Sequence, residues 1–148
     1  MKKAVGLTVG LVFAGAGITG CEKPPPAISV WSGSDSVNVA AQCWSFDDSG
    51  LDARNCAQDI LQGTRTEGLP SLPTQPGNTF GISGDPVVAE SGWQILVNGQ
   101  SLTQQPLETL YFRAPYSAPN QPIVLQVISG GLGDVRGVWL LQLDPTAG

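Results

Sequence analysis

From Gly92 to Val97 the chain alternates, with Trp93, Ile95 and Val97 on one side and Gln94 and Leu96 on the other, before it meets Asn98-Gly99. A two-residue period fits a strand, and Asn-Gly accepts the positive φ angles of a tight hairpin turn. The segment Gln100 to Thr103 is therefore expected to return antiparallel.

The same reading extends along the chain. Leu107 to Arg113, Ile123 to Ser129 and Gly137 to Asp144 read as strands, the last two joined by the glycine-rich link Gly130 to Asp134. Upstream, Ile28 to Ser32, Ser36 to Phe46 and Thr79 to Ser83 read likewise, the second placing Val37, Val39, Ala41 and Cys43 on one face. Thr64 to Asn78 carries Pro70, Pro73, Pro76 and Gly77 and reads as a loop with room for one short edge strand. Two helical pieces are expected. One is Leu51 to Gln62, where Ser49 and Asp52 have capping-box spacing and Gly63 can end the helix. The other is Asp85 to Ser91, which reads as a turn or a single turn of helix starting at Pro86. Seven or eight short strands with frequent turn residues predict an all-β fold, an immunoglobulin-like antiparallel β-sandwich.

The N-terminus carries a different signal. Lys2 and Lys3 precede an apolar run, Ala4 to Gly20, that is short for a bilayer-spanning helix and holds five glycines. It reads as an export signal peptide, residues 1–20. The run ends in Ile18-Thr19-Gly20-Cys21, which resembles the lipobox of bacterial lipoprotein precursors: an aliphatic residue, two small ones, and a cysteine that is acylated on sulfur. An ordinary secretory peptide with Cys21 merely nearby is the alternative. Residues 21–26 then form the lipidated cysteine and a stiff proline-rich tether expected to lift the domain off the bilayer, and residues 27–148 the sandwich. At about 0.8 kcal/mol per buried methylene, two acyl chains give stable anchoring. The location implied is the cell membrane, lipid-anchored, on its extracytoplasmic face.

With Cys21 so used, Cys43 and Cys56 remain, an even number in an oxidising compartment, and are expected to form a disulfide. A redox-active or metal-binding pair is the alternative, although the chain has no histidine to assist it. The two lie too close in sequence to be the inter-sheet bridge of antibody domains.

Charge narrows the partners. Removal of Lys2 and Lys3 from the seven basic residues leaves five against twelve acidic ones, a side-chain balance of −7. Nucleic acid is excluded as a partner, because binding a polyanion requires a basic face. A polybasic grip on anionic lipid is equally lacking.

The scattered motifs also resemble a family of actinobacterial envelope lipoproteins, domain of unknown function 2771. The resemblance rests on the lipobox, the proline-rich tether, the run Gly92 to Gln100, and Arg136-Gly137-Val138-Trp139. It implies the membrane address and a small β domain, and offers no catalytic residues to carry over.

Candidate sites are few. Asp47, Asp48, Asp52 and Asp59 could supply oxygen ligands to Ca²⁺ but lack the spacing of an EF-hand loop, and read better as solvated turn and helix-start acids. Neither a metal nor a cofactor is expected. Trp93 and Trp139 read as core. Trp44 should turn outward, since the alternation that buries Cys43 exposes its neighbour, and Tyr111, Phe112 and Tyr116 could form an exposed loop patch; these four are the candidate ligand-binding residues.

Without histidine there is no Ser-His-Asp or Cys-His arrangement and no usual zinc set, so no enzyme activity is expected. Two functions stay open: a non-enzymatic envelope adaptor recognising a protein or cell-wall component, or a ligand- or lipid-binding domain with an internal apolar cavity.

Overall fold

Two β-sheets and a helix are stacked in three layers in the computed structural model, which describes residue 20 and residues 23–61, 68–117, 120–130 and 133–146. Cys21, with Ile18 and Thr19 of the lipobox, lies outside the described residues, as do Gln62 and Gly63 and the side chain of Asp59.

The first sheet contains β1 (Ala27–Ser32), β2 (Asp35–Ala40), β5 (Thr79–Gly84) and β8 (Tyr111–Pro115). Their order is β2-β1-β5-β8, every neighbour antiparallel. The second sheet contains β3 (Cys43–Trp44), β4 (Ser71–Thr74), β6 (Trp93–Val97), β7 (Gln100–Ser101), β9 (Ile123–Ser129) and β10 (Gly137–Pro145). It runs β3-β10-β9-β6-β7, with β4 also on β10.

The facing sides of the sheets make the main core. Ile28, Val30, Phe80 and Ile82 from the first meet Trp93, Ile95, Leu125, Val127, Trp139 and Leu141 from the second. Alternation along β1 produces this directly, since Ile28, Val30 and Ser32 are buried and the residues between them are half-exposed. The two-sheet, immunoglobulin-like sandwich expected from the sequence is the fold.

Its details differ from expectation in four ways. The run Ser36 to Phe46 is two strands and not one: β2 ends at Ala40, and after Ala41 and Gln42 the chain resumes as β3 in the opposite sheet. Alternation continues across the break, so the sequence pattern conceals it. The described residues contain ten strands, because that run splits and because the short edge strand for which Thr64 to Asn78 has room forms as β4. The sheets are not wholly antiparallel: β4 lies parallel to β10, with Leu143 opposite Leu72. The strand expected over Leu107 to Arg113 begins later, at Tyr111, and Leu107 instead makes an isolated bridge to Trp93.

The third layer is α1 (Leu51–Leu61). It covers the outer face of the second sheet, where Ala53, Ala57 and Ile60, spaced for one helical face, pack on Leu96, Ile128, Val138 and Leu140. Burial on both faces explains why β9 and β10 are apolar almost throughout instead of alternating. The expected capping box does not form. The buried Ser45 hydroxyl accepts from Ala53 N–H at 3.0 Å, so a residue outside the helix satisfies a first-turn donor. A disulfide joins Cys43 in β3 to Cys56 in α1, with Cα atoms 5.7 Å apart, and ties the helix to the sheet edge.

The hairpin at Asn98-Gly99 forms as read, with φ of 48° and 80°, both in the left-handed region the turn demands. A short helix, α2 (Pro86–Glu90), buries Val88 and Ala89 against the main core.

Candidate functional site

The chain enters the sandwich beside an open, mostly apolar cleft of about 870 Å³. Its walls come from three places: the entering residues Pro24 to Ala27, the β3 region with Trp44 and Phe46, and the start of α2 with Pro86 and Val87. Lys23, Asp85, Glu90 and Arg136 supply its charges, two of each sign.

The entering segment is fixed at its last proline. The Pro26 carbonyl accepts two hydrogen bonds, from Ala41 N–H at 3.1 Å and from the indole N–H of buried Trp139 at 3.0 Å. One residue later, Ala27 N–H donates to the Asp85 carboxylate at 3.3 Å. Within the proline-rich stretch, Pro26 is thus part of the folded domain, and Pro24 and Pro25 line its cleft.

Trp44 sits in a built position. It pairs with Gly137 across β3 and β10, and a Cβ on Gly137 would come within 2.5 Å of its ring. Glycine therefore lets the indole lie over the neighbouring strand, 6.0 Å from the Trp139 ring, centroid to centroid, and tilted by 55°. The Arg136 guanidinium stands over the Trp44 ring at 5.4 Å from its centroid, close enough for a cation–π contact. Trp44 is half-buried as a result, and only part of its ring is available to a ligand.

Phe46, two residues on, is 56% exposed and was not singled out by sequence reasoning. In the strand read over Ser36 to Phe46 it falls on the same side as Trp44, opposite Val37, Val39, Ala41 and Cys43. The signal that it leaves the sheet is the turn that follows, Asp47-Asp48-Ser49-Gly50. In that turn Asp47 accepts from the Ser49 hydroxyl and from Ser49 N–H, and the hydroxyl bond above all lowers its pKa. Asp48 reaches Arg136 at 3.7 Å with a fully exposed carboxylate, a pair that adds little stability.

The other proposed residues do not join this site. Tyr111 is half-exposed on β8, while its neighbour Phe112 points to the opposite face and packs toward the main core. Tyr116 is a correction: it is only 1% exposed, its hydroxyl donates to the Gln121 carbonyl at 2.7 Å, and it cannot contribute to a surface patch. Asp47, Asp48 and Asp52 are exposed acids, and among the described residues no three metal-binding side chains converge. Trp93 and Trp139 are core residues, 1% and 0% exposed.

The space between the sheets is filled with side chains. Trp93, Trp139, Tyr116, Phe80, Leu125 and Leu141 are each fully buried there.

No protein-family model matches the sequence, and no curated protein matches it. Among solved structures, the chain is similar to a fibronectin(III)-like module of Clostridium thermocellum CbhA at 12% identity, over 55% of this chain and 92% of that one, with a TM-score of 0.40.

Proposed function

We propose that the protein is a lipoprotein anchored through Cys21 on the extracytoplasmic face of the membrane, where its sandwich serves as a non-enzymatic binding or adaptor module of the cell envelope. The observation that carries this reading is how the chain enters the domain. Pro26 is locked by Ala41 and Trp139, and the acylation candidate stands two residues before Lys23 of the cleft wall. Such a chain presents a rigid domain directly at the lipid surface.

Binding is assigned to the surface because the interior is occupied by packed aromatic and aliphatic side chains. That packing also disfavours the alternative of a ligand carried inside the sandwich, which requires an enclosed apolar cavity of several hundred Å³. The case against catalysis rests on composition: with no histidine, and with the clustered aspartates solvated, no nucleophile–base pair is evident. The partner class is an envelope protein or a cell-wall component.

The anchor is tested by fractionating cells that express the Cys21→Ser variant. Release of the protein into the soluble fraction is expected, and continued membrane retention would refute the anchor. Native crosslinking on intact cells tests the adaptor role, which predicts a discrete crosslinked partner that disappears when the protein is deleted.

A further inference from the structure

We infer that the apolar cleft is a membrane-docking surface, which seats Phe46 and the neighbouring prolines against the lipid leaflet that holds the anchor. This inference rests on the anchor reading above and adds an orientation to it.

Chain length fixes how near the cleft stands to the lipid. An extended chain advances about 3.6 Å per residue at most, so the two steps from Lys23 back to Cys21 span about 7 Å. Had residues 21–26 formed a free proline-rich spacer at about 3.1 Å per residue, the domain would have stood about 15 Å away and turned freely. Instead Pro26 is held by two hydrogen bonds, and Pro24 and Pro25 line the cleft. A lipid attached at Cys21 therefore confines the cleft end of the sandwich to headgroup depth.

Chemistry at that end suits the interface. Phe46 is 56% exposed, and Trp44, Pro86 and Val87 continue the apolar surface around it. Phe and Trp side chains on an exposed apolar face bury at the boundary between headgroups and acyl chains. Contact is intramolecular once the anchor is in place, so even a weak apolar gain is populated through high effective concentration. The charges lining the cleft balance, and Asp47 and Asp48 beside it are acidic, so the matching surface is zwitterionic or neutral lipid, not an anionic patch.

Docking also decides which end faces outward. β1 starts at the cleft with Ala27 and ends at Ser32, so the β1–β2 turn lies at the far end of the sandwich. There Ser34, Asp35, Gln75 and Asn78 surround a small polar hollow of about 240 Å³, which is left free for an envelope partner.

The test uses the lipidated full chain carrying Phe46→Trp, reconstituted into phosphatidylcholine vesicles with or without acyl-chain bromination, and compared with the wild-type protein in the same vesicles. Bromine quenches only indoles that reach the acyl boundary. The expected result is flotation with the vesicles, a blue-shifted contribution from the new indole, and loss of more than about half of that contribution to bromine, as for side chains buried 5–10 Å into the interface. Flotation without quenching overturns the docking inference and leaves the anchor standing. Failure to float overturns the anchor, and the docking inference with it.

Discussion

The side-chain amide of Gln42 makes both hydrogen bonds to Leu140 that a neighbouring strand would make. Its Nε2 donates to the Leu140 carbonyl at 3.0 Å, and Leu140 N–H donates to its Oε1 at 2.6 Å. The outer edge of β10 is shared, with β3 pairing at Gly137 and Val138 and β4 pairing from Gln142 onward. Between those strands Leu140 would be left unpaired and 5% exposed, and the Gln42 amide fills the gap.

Truncation at this point exposes the need. Gln42→Ala strands two buried backbone groups, and each costs about 1–3 kcal/mol when left unsatisfied. A fall in the denaturant midpoint is expected. Gln42→Glu keeps the acceptor but turns a second oxygen toward the Leu140 carbonyl, so it should be destabilised at neutral pH. Protonation restores a donor, so the folded pKa of that carboxyl is raised and the lost stability returns as pH falls. Chemical denaturation of both variants at neutral and acid pH checks this.

Gly137 supports a second prediction, because it and Gly81 solve the same steric problem. Each is paired across strands with a tryptophan, Gly137 with Trp44 and Gly81 with Trp31, and in each case an added Cβ would overlap the ring. The surroundings differ. At Gly137 the Cβ would also press on fully buried Trp139, at 2.8 Å, whereas the close contacts at Gly81 are with half-exposed Trp31 alone. Gly137→Ala should therefore cost about 1–3 kcal/mol, the usual range for overpacking, and Gly81→Ala less. Equal costs in thermal unfolding would show that Trp139 is free to move.

How far the sequence reveals the fold follows from what each residue signals locally. The hairpin at Asn98-Gly99 and the strand Ile123–Ser129 are legible because turn chemistry and apolar runs act within a few residues. The passage of the chain between sheets at Ala41 and Gln42 is silent, since Val37, Val39, Ala41 and Cys43 keep the period on both sides of it. The parallel pairing of β4 is silent too, being a contact between residues about seventy apart. The helical layer could have been inferred from the near-continuous burial of β9 and β10, as a strand covered on one face alone would alternate. At the site, Trp44 was legible as a candidate but its direction was not, since Cys43 is buried toward α1 and Trp44 packs partly against the main core on the opposite face. Phe46 and Val87 were not, because the cleft exists only once the entering prolines have been pinned by Trp139.

Tyr116 predicts the alkaline behaviour of the domain. Burial first, and the Asp144 charge second, raise its pKa in the folded protein above the ordinary tyrosine value. The neutral phenol is thus favoured by folding, and its contribution is complete below the unfolded tyrosine pKa and lost as pH rises through the folded value. Tyr116→Phe removes the hydrogen bond to the Gln121 carbonyl and should cost about 1 kcal/mol at neutral pH. It should also flatten the decline in stability above the normal tyrosine range. Denaturation midpoints measured from neutral to strongly alkaline pH test both parts, and an alkaline limb as steep as in the wild type would dismiss the role of this phenol.

The Cys43–Cys56 bond links the edge strand β3 to α1, so its removal acts on both the unfolded chain and the third layer. A sequence separation of 13 closes a loop for which chain entropy gives about 3 kcal/mol. Ala53, Ala57 and Ile60 still bury against Leu96, Ile128 and Leu140 without the bond, so α1 should stay seated in the double Cys43→Ala/Cys56→Ala variant. The expected outcome is a lower midpoint with a denaturant slope no smaller than that of the wild type, since the native layers are kept and the unfolded chain without the crosslink is at least as open. A reduced slope, together with binding of an apolar dye, would show that α1 has left the sheet and that the disulfide, and not its apolar face, holds the layer in place.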